Sequence, residues 1–283
     1  MPELDDFPPG TVWLVGAGPG DPELLTRKAE RLIRAADIVF HDALVGPGVL
    51  VLASPGTKLV YVGKRLGRHS KDQSSIDSLI VEAALAGNRV VRLKGGDPVI
   101  FGRATEELTA CQAAEVPAQI CPGVTAASAA AASLGISLTL RGTARRLTLL
   151  TAQARAGAPL ELDWKCFADP QTTLAIYMGK AAAREVASQL IAAGLSGSTP
   201  VAIVENASLP GSRAVVTRLD LLPFAARTAL ADGPATILVG EAIRGNLEGQ
   251  STRERWRAGL SEDSRAPGRR RSNCSASIDR YGC

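Results

Sequence analysis

The sequence predicts an α/β protein with two α/β domains and a C-terminal tail. In the first half, short apolar, β-branched runs alternate with helix-period segments, which indicates a mostly parallel sheet with helices on both faces. In the second half, several strand-like runs occur per helix, which favours a mixed sheet. The last segment is rich in Arg, Ser and Gly and predicts a disordered tail. The predicted domains are 11–135 and 136–245, the tail is 246–283, and a hinge is expected at 130–140.

In the first domain, strands are predicted at 11–17, 37–41, 58–62, 89–93 and 118–121. The helices between and after them are predicted at 23–35, at 72–86, from about 105 onward, and at 125–134. In the second domain, strands are predicted at 146–151, 173–177, 200–205, 213–218 and 235–239, and helices at 181–193 and 219–231.

Composition excludes several classes of protein. No apolar run approaches the roughly 18 residues that span a bilayer, so no membrane association is expected. Five scattered cysteines without a CxxC, and only two histidines, argue against a disulfide framework or a metal site and suit a reducing cytoplasm. The net charge is +4, but the segment after residue 244 holds eight arginines and five acids, so nucleic-acid binding would rest on the tail alone. We therefore expect no nucleic-acid partner.

A glycine-rich turn follows the strand predicted at 89–93. Gly95 and Gly96 leave the backbone open to a ligand because neither carries a Cβ, and Asp97 and Pro98 come next. In open α/β sheets, ligands bind beyond the carboxyl ends of strands. A simple tight turn is the alternative interpretation of these residues alone.

A second glycine turn, 16–20, follows the first strand and invites a dinucleotide-binding interpretation with Asp42 as the ribose-binding acid. The fingerprint requires glycine at position 21, where this chain has Asp21, and Pro19 removes an N–H that a pyrophosphate would use. A cofactor without phosphates fits better. S-adenosylmethionine is such a cofactor, because carbonyl-rich turns and a carboxylate such as Asp97 suit its sulfonium and polar ends. Methyl transfer requires no metal.

Seven segments carry a family resemblance, in this order along the chain: VWLVGAGPGDPELLT, DIVFHDALV, VGKRLGRHS, RVVRLKGGDPVIFGRATEE, CPGVTAAS, IYMGK and VAIVENAS. Over about residues 11–245 the chain resembles the uroporphyrinogen-III C-methyltransferases of the tetrapyrrole methylase superfamily. The segments GAGPGDP and GGDP alone would indicate only the superfamily. The resemblance is incomplete where Leu140 replaces a usual histidine and where Gln153 ends a segment that often reads TGH.

The resemblance implies two methylations of uroporphyrinogen III, at C2 and C7, giving precorrin-2 and two S-adenosylhomocysteine molecules. It also implies a homodimer with the cofactor in a cleft between the two domains. The positions that match the family's cofactor contacts are Pro19, Gly95, Gly96, Asp97, Ile100, Thr125, Ala126, Met178 and Ala207. Without the dehydrogenase–chelatase region of fused sirohaem synthases, the chain is expected to stop at precorrin-2.

Two residues match catalytic positions of the family: Asp42 a proposed proton acceptor and Lys64 a proposed proton donor. Each has a simpler alternative, because Asp42 could cap the next turn and Lys64 could be a solvated surface residue. Met178 could likewise be core rather than cofactor wall.

A cationic cluster beside Lys64 suits a substrate with eight carboxylates, since guanidinium groups bind carboxylates in a bidentate manner. The candidates for substrate binding are Arg65, Arg68, His69, Arg103 and Arg141. A structural or surface role is the alternative for His69, Arg103 and Arg141. The rival functions are a methylase of a later corrin intermediate, a non-catalytic tetrapyrrole-binding module and, less favoured, an NAD-dependent oxidoreductase.

Overall fold

A computed structural model describes residues 7–63, 73–153, 160 and 162–245. These residues lie in one compact unit and form two five-stranded sheets. The predicted tail, 246–283, lies outside the described residues.

The first sheet is parallel throughout. Its strands are Val12–Gly16 (β1), Ile38–His41 (β2), Lys58–Tyr61 (β3), Val90–Lys94 (β4) and Ala118–Cys121 (β5). They lie in the order β3-β2-β4-β1-β5, and every neighbouring pair is parallel. All residues of β1 and β4 are buried, as expected of strands covered on both faces.

The second sheet is mixed. Its strands are Arg146–Thr151 (β6), Thr172–Tyr177 (β7), Pro200–Glu205 (β8), Arg213–Arg218 (β9) and Ala235–Val239 (β10). They lie in the order β6-β7-β10-β8-β9, with β6 and β7 parallel and the other pairs antiparallel. The prediction of one parallel and one mixed sheet is therefore confirmed.

Helices cover both sheets. In the described residues they are Arg27–Ala35 (α1), Pro47–Leu50 (α2), Gln73–Leu85 (α3), Ala104–Ala113 (α4), Ala126–Leu134 (α5), Trp164–Phe167 (α6), Ala183–Ala192 (α7) and Leu222–Thr228 (α8). On one face of the first sheet, residues of α1 and α2 pack with Trp13 and Val15. On the other face, residues of α3 and α4 pack with Val12 and Leu14. The period-2 alternation of β1 thus supplies both cores.

The alanine-rich helix α5 follows the last strand of the first sheet but packs on the second. Its buried alanines contact Ala175, Ala202 and Leu238, while α7 and α8 cover the opposite face of that sheet. Small side chains on both sides let the helix approach the sheet closely. The segment that leaves the first sheet at β5 therefore becomes part of the core of the second.

Two predicted helices are interrupted. The segment 23–35 consists of a 3-10 turn, Pro22–Leu24, followed by α1, because the Thr26 hydroxyl accepts the Ala29 N–H at 3.1 Å and starts a new helix. The segment 219–231 likewise has a 3-10 turn, Leu219–Leu221, before α8.

Candidate functional site

The site lies where the connections of the first sheet change face. Strands β1 and β4 are neighbours, yet β1 leads to α1 on one face and β4 leads to α4 on the other. Such a switch point leaves a crevice beyond the carboxyl ends of the two strands. The two glycine turns of the sequence, 16–20 and 95–98, follow these two strands.

Main-chain groups form the wall of this crevice. Gly18 and Gly96 exchange hydrogen bonds, with the Gly96 N–H donating to Gly18 O at 2.7 Å and the Gly18 N–H donating to Gly96 O at 3.2 Å. Gly16, Gly96 and Gly123, which we name the glycine cluster, are in close backbone contact. A Cβ on Gly123 would lie 2.3 Å from Gly96 O, and one on Gly16 would lie 2.6 Å from the Gly123 Cα. At Gly16 and Gly123 the neighbouring backbones leave no room for a side chain, and Gly96 has a φ of 71°, which favours glycine.

The Asp97 carboxylate joins the loops that follow β4 and β5. Its Oδ1 accepts the Val99 N–H at 2.9 Å, and its Oδ2 accepts the Gly123 N–H at 3.2 Å. The Ile100 N–H donates to the Asp97 carbonyl at 3.2 Å. The predicted ligand residues Asp97 and Ile100 are therefore parts of one fixed turn.

The N-terminus of α5 is completed by a side chain of the second sheet. The Tyr177 hydroxyl accepts the Ala127 N–H at 3.2 Å and lies 2.5 Å from Thr125 Oγ1. The Tyr177 ring lies 5.1 Å from the ring of Phe101, which follows the Asp97 turn. Tyr177 thus links the start of α5, at Thr125 and Ala127, to the second sheet and to the turn after β4. Its role is not visible in the sequence, because Tyr177 ends an ordinary apolar strand.

Loops of the second sheet reach the same edge. Met178 follows β7, is exposed, and has a φ of 54°. Ala207 follows β8 and is buried in the core that includes α5. Its neighbour Ser208, with a φ of 72°, accepts the Asp21 N–H on its hydroxyl at 3.1 Å. Left-handed backbone at non-glycine residues is uncommon and tends to occur at functional sites.

A buried carboxylate at the end of β8, two residues before Ala207, joins the loop that carries Met178 to the loop before β10. Glu205 is fully buried and accepts Lys180 Nζ at 3.3 Å, the Ala231 N–H at 2.9 Å and the Gly233 N–H at 3.0 Å. Burial raises the pKa of Glu205, but these donors outweigh that effect and hold the pKa below its ordinary value. The side chain is an ionised anchor within the second sheet.

The predicted catalytic residue Asp42 belongs to a buried network of charges. Its Oδ2 accepts Arg92 Nη2 at 2.9 Å, and its Oδ1 accepts the Leu44 N–H at 3.0 Å. The Arg92 Nε donates to Glu107 Oε1 at 3.0 Å, and Lys94 Nζ contacts both Glu107 oxygens at 2.8 and 2.7 Å. The turn-capping role considered for Asp42 is therefore present, together with an ion pair that the sequence did not reveal.

Arg92 and Lys94 alternate with apolar residues in β4 and point toward α4. Burial lowers the pKa of Lys94, helped by the neighbouring Arg92, while Glu107 opposes the shift. Two cations within an apolar strand, followed on α4 by a glutamate, were the available sequence signal.

The remaining predicted residues fall into two groups. Lys64, Arg65, Arg68 and His69 lie outside the described residues. Arg103, exposed with a φ of 58°, pairs with Glu106 at 2.7 and 2.5 Å, and Arg141 is exposed in a turn closed by the Leu140–Ala144 bridge.

The other predicted cofactor residues lie in the two glycine turns. Pro19 is half-buried between Gly18 and Gly20, and the backbone of Gly95 lies so close to Leu44 that a Cβ would approach the Leu44 Cβ to 2.7 Å. Eight of the nine positions thus lie in loops or turns that follow strands, and Ala126 is the first residue of α5.

In the described part of the chain, no cluster of three or more His, Cys, Asp or Glu residues could hold a metal ion. No helix there is both long and apolar enough to cross a bilayer.

The two sheets and the switch point define a class: α/β proteins in which the carboxyl edge of a parallel sheet is the expected binding place of a small molecule. Residues 11–223 match the family model for Tetrapyrrole (Corrin/Porphyrin) Methylases. The chain belongs to this family, which confirms the resemblance found in the sequence.

The chain is similar in sequence to named proteins of two organisms. A siroheme synthase of Gluconacetobacter diazotrophicus is 44% identical over 235 residues, which cover 83% of this chain and 50% of that protein. The chloroplastic S-adenosyl-L-methionine-dependent uroporphyrinogen III methyltransferase of Arabidopsis thaliana is 44% identical over 240 residues, which cover 84% of this chain and 65% of that protein. The chain thus spans about half to two thirds of these relatives.

A solved structure matches over nearly its full length. It is the uroporphyrin-III C-methyl transferase of Thermus thermophilus complexed with S-adenyl homocysteine, with a TM-score of 0.71 and 40% identity. The match covers 83% of this chain and 99% of that one.

Proposed function

We propose that this chain is an S-adenosylmethionine-dependent C-methyltransferase that converts uroporphyrinogen III to precorrin-2 by methylation at C2 and C7. The observation that carries the proposal is the main-chain wall at the switch point, formed by Gly18, Gly96 and the loop of Gly123. Relatives at 40–44% identity that are named as a uroporphyrinogen III methyltransferase and a uroporphyrin-III C-methyl transferase support it.

The residues at the crevice suit this cofactor. The nine candidate contacts contain one carboxylate and no cation, so they offer carbonyls and apolar surface rather than a phosphate clamp. Bound S-adenosylmethionine would supply an electrophilic methyl group on a positively charged sulfur. Met178 and Ala207 would form the apolar side of the site, and Thr125 and Ala126 the polar side at the start of α5.

The chain's own residues would orient the macrocycle and manage the proton. Methylation leaves a cationic ring that must lose a proton, and Asp42 would accept that proton or stabilise the cation. Lys64 would act as proton donor. The cationic residues Arg65, Arg68, His69, Arg103 and Arg141 would bind the carboxylates of the substrate.

Three further properties are part of the proposal. The chain would act as a homodimer in the cytoplasm, the cofactor would lie in a cleft between domains 11–135 and 136–245, and no metal would be needed. The cytoplasmic assignment is supported by three free cysteines among the described residues.

The test uses the full chain with uroporphyrinogen III and methyl-labelled S-adenosylmethionine under reducing conditions. We expect multiple turnover, a product heavier by two methyl groups, and two S-adenosylhomocysteine molecules per product. Absence of transfer would refute the proposal, and transfer only to a later corrin intermediate would favour the rival methylase. Removal of 246–283 should leave transfer intact, whereas a nucleic-acid function would be lost with this segment.

Asp42→Ala tests the assignment of the carboxylate. We expect turnover to fall while S-adenosylhomocysteine affinity, measured by calorimetry, stays largely unchanged, because Asp42 contacts Arg92 and Leu44 rather than the glycine cluster. Weak binding with unchanged turnover of the bound complex would contradict the assignment.

A further inference from the structure

A buried guanidinium orients the candidate catalytic carboxylate. The Arg92 side chain is 6% exposed, whereas the Asp42 side chain is 24% exposed and so reaches solvent. One carboxylate oxygen accepts Arg92 Nη2 at 2.9 Å, and the other accepts the Leu44 N–H at 3.0 Å. Each oxygen therefore has its own donor, and the plane of the carboxylate is fixed.

Arg92 is itself held in place by two other acceptors. Its Nε donates to Glu107 Oε1 at 3.0 Å, and its Nη1 donates to the Leu93 carbonyl at 2.7 Å. Glu107 has no exposed side-chain surface and receives Lys94 at the same time. With Asp42, the four side chains form a network of two cations and two anions, so no charge is buried without a partner.

Stability alone gives a weak reason for such a network. Buried ion pairs often contribute no more to stability than apolar residues of similar volume. The network lies between β4 and α4 beside an apolar core that includes Leu14, Phe40 and Ala104, where apolar side chains would also fit. What the charged residues provide, and apolar ones would not, is a defined direction for Asp42.

We propose that Arg92 is a positioning residue that acts through Asp42, with Glu107 and Lys94 fixing the guanidinium. This inference rests on the proposed function, because it assigns Asp42 to methyl transfer. Lysine cannot replace Arg92 here, since one ammonium on a flexible stem does not reach three acceptors in the directions that a planar guanidinium serves.

The test is a double-mutant cycle on turnover. Arg92→Lys retains the charge but loses the three-way contact, and we expect it to lower kcat about tenfold to a hundredfold, as small misplacements of a reacting group do. The KM for S-adenosylmethionine should change less than about twofold. In an Asp42→Asn background the same change should alter kcat less than about twofold, because the group through which Arg92 acts is already lost.

Arg89→Lys is the matched control. Arg89 immediately precedes β4, bonds the Phe7 carbonyl at 3.0 Å and lies 3.8 Å from Asp37, so it also joins an arginine to an aspartate. The Arg89→Lys variant should leave kcat unchanged. If Arg92→Lys does not fold, as judged by circular dichroism, Glu107→Gln loosens Arg92 without contacting Asp42 and should show the same loss and the same coupling.

The outcomes separate the two proposals. Suppose that the wild-type protein transfers methyl groups. If the effects of Arg92→Lys and Asp42→Asn on kcat then multiply in the double variant, the inference is overturned and the proposed function stands. The same holds if Asp42→Asn retains the wild-type kcat. If the wild-type protein transfers no methyl group, both fall together.

Discussion

Replacing Gly123 by alanine tests whether the crevice wall depends on bare backbone. The added Cβ would lie 2.3 Å from Gly96 O and 2.9 Å from the Gly16 Cα. Real Cβ contacts are essentially never shorter than 3.0 Å and ordinary contact begins at 3.4 Å, so the two loops must separate by about 0.7–1.1 Å. The obstacle is backbone on both sides, and no flexible side chain can move away.

The magnitude follows from two effects. Overpacking costs about 1–3 kcal/mol, and displacement of Gly96 weakens the Gly18–Gly96 hydrogen bonds, each with a net contribution of about 0.5–1.5 kcal/mol. We expect the free energy of unfolding to fall by about 2–4 kcal/mol. The Kd for S-adenosylhomocysteine should rise at least about tenfold, because the Gly123 N–H also holds Asp97.

The assays are urea unfolding and calorimetric titration of the folded variant. Gly56→Ala is the control, since a Cβ at that exposed turn meets nothing within 4 Å. It should change stability by less than about 0.5 kcal/mol. If Gly123→Ala matches this control in both stability and affinity, the reasoning from backbone contact is wrong.

Two further substitutions test the contacts of the second sheet. Tyr177→Phe leaves the Ala127 N–H and Thr125 without their partner, so unfolding free energy should fall by about 1–3 kcal/mol and S-adenosylhomocysteine should bind more weakly. Unchanged affinity by calorimetry would refute a role for this hydroxyl in the site. Glu205→Gln tests the ionised anchor. Because the pKa of Glu205 is lowered in the folded state, its stabilisation is full above about pH 4.3, the ordinary value for glutamate, and is lost as the pH falls below it. The unfolding free energy of the variant should therefore decrease less than that of the wild type between about pH 6 and about pH 3.

Local patterns predicted most of the fold because each strand carries its own signal. The apolar run at 11–17 contains β1, and the carboxyl ends of parallel strands share one edge, so the turns at 16–20 and 95–98 could be expected to lie together. The domain boundary at 130–140 stays a prediction. Helix α5 follows a strand of one sheet and packs on the other, so local sequence does not indicate to which unit it belongs.

The missed residues make contacts between distant segments. Arg92 meets Asp42 and Glu107, which lie 50 and 15 residues away, and Tyr177 meets Thr125, 52 residues away. A charge inside an apolar strand is visible in the sequence, but its partner is not. Pairings of this kind depend on register and helix placement, which a single sequence specifies only through the complete fold.

The main-chain wall at the crevice has a consequence for how this protein tolerates change. Except at proline, main-chain amide and carbonyl groups are the same at every position, so most side-chain replacements around Gly18 and Gly96 would leave the donors and acceptors of the wall intact. Vulnerability is concentrated at the few points where two backbones touch. A library of random variants should therefore show a sharp division, with intolerance at the glycine cluster and permissiveness at exposed neighbours such as Val99.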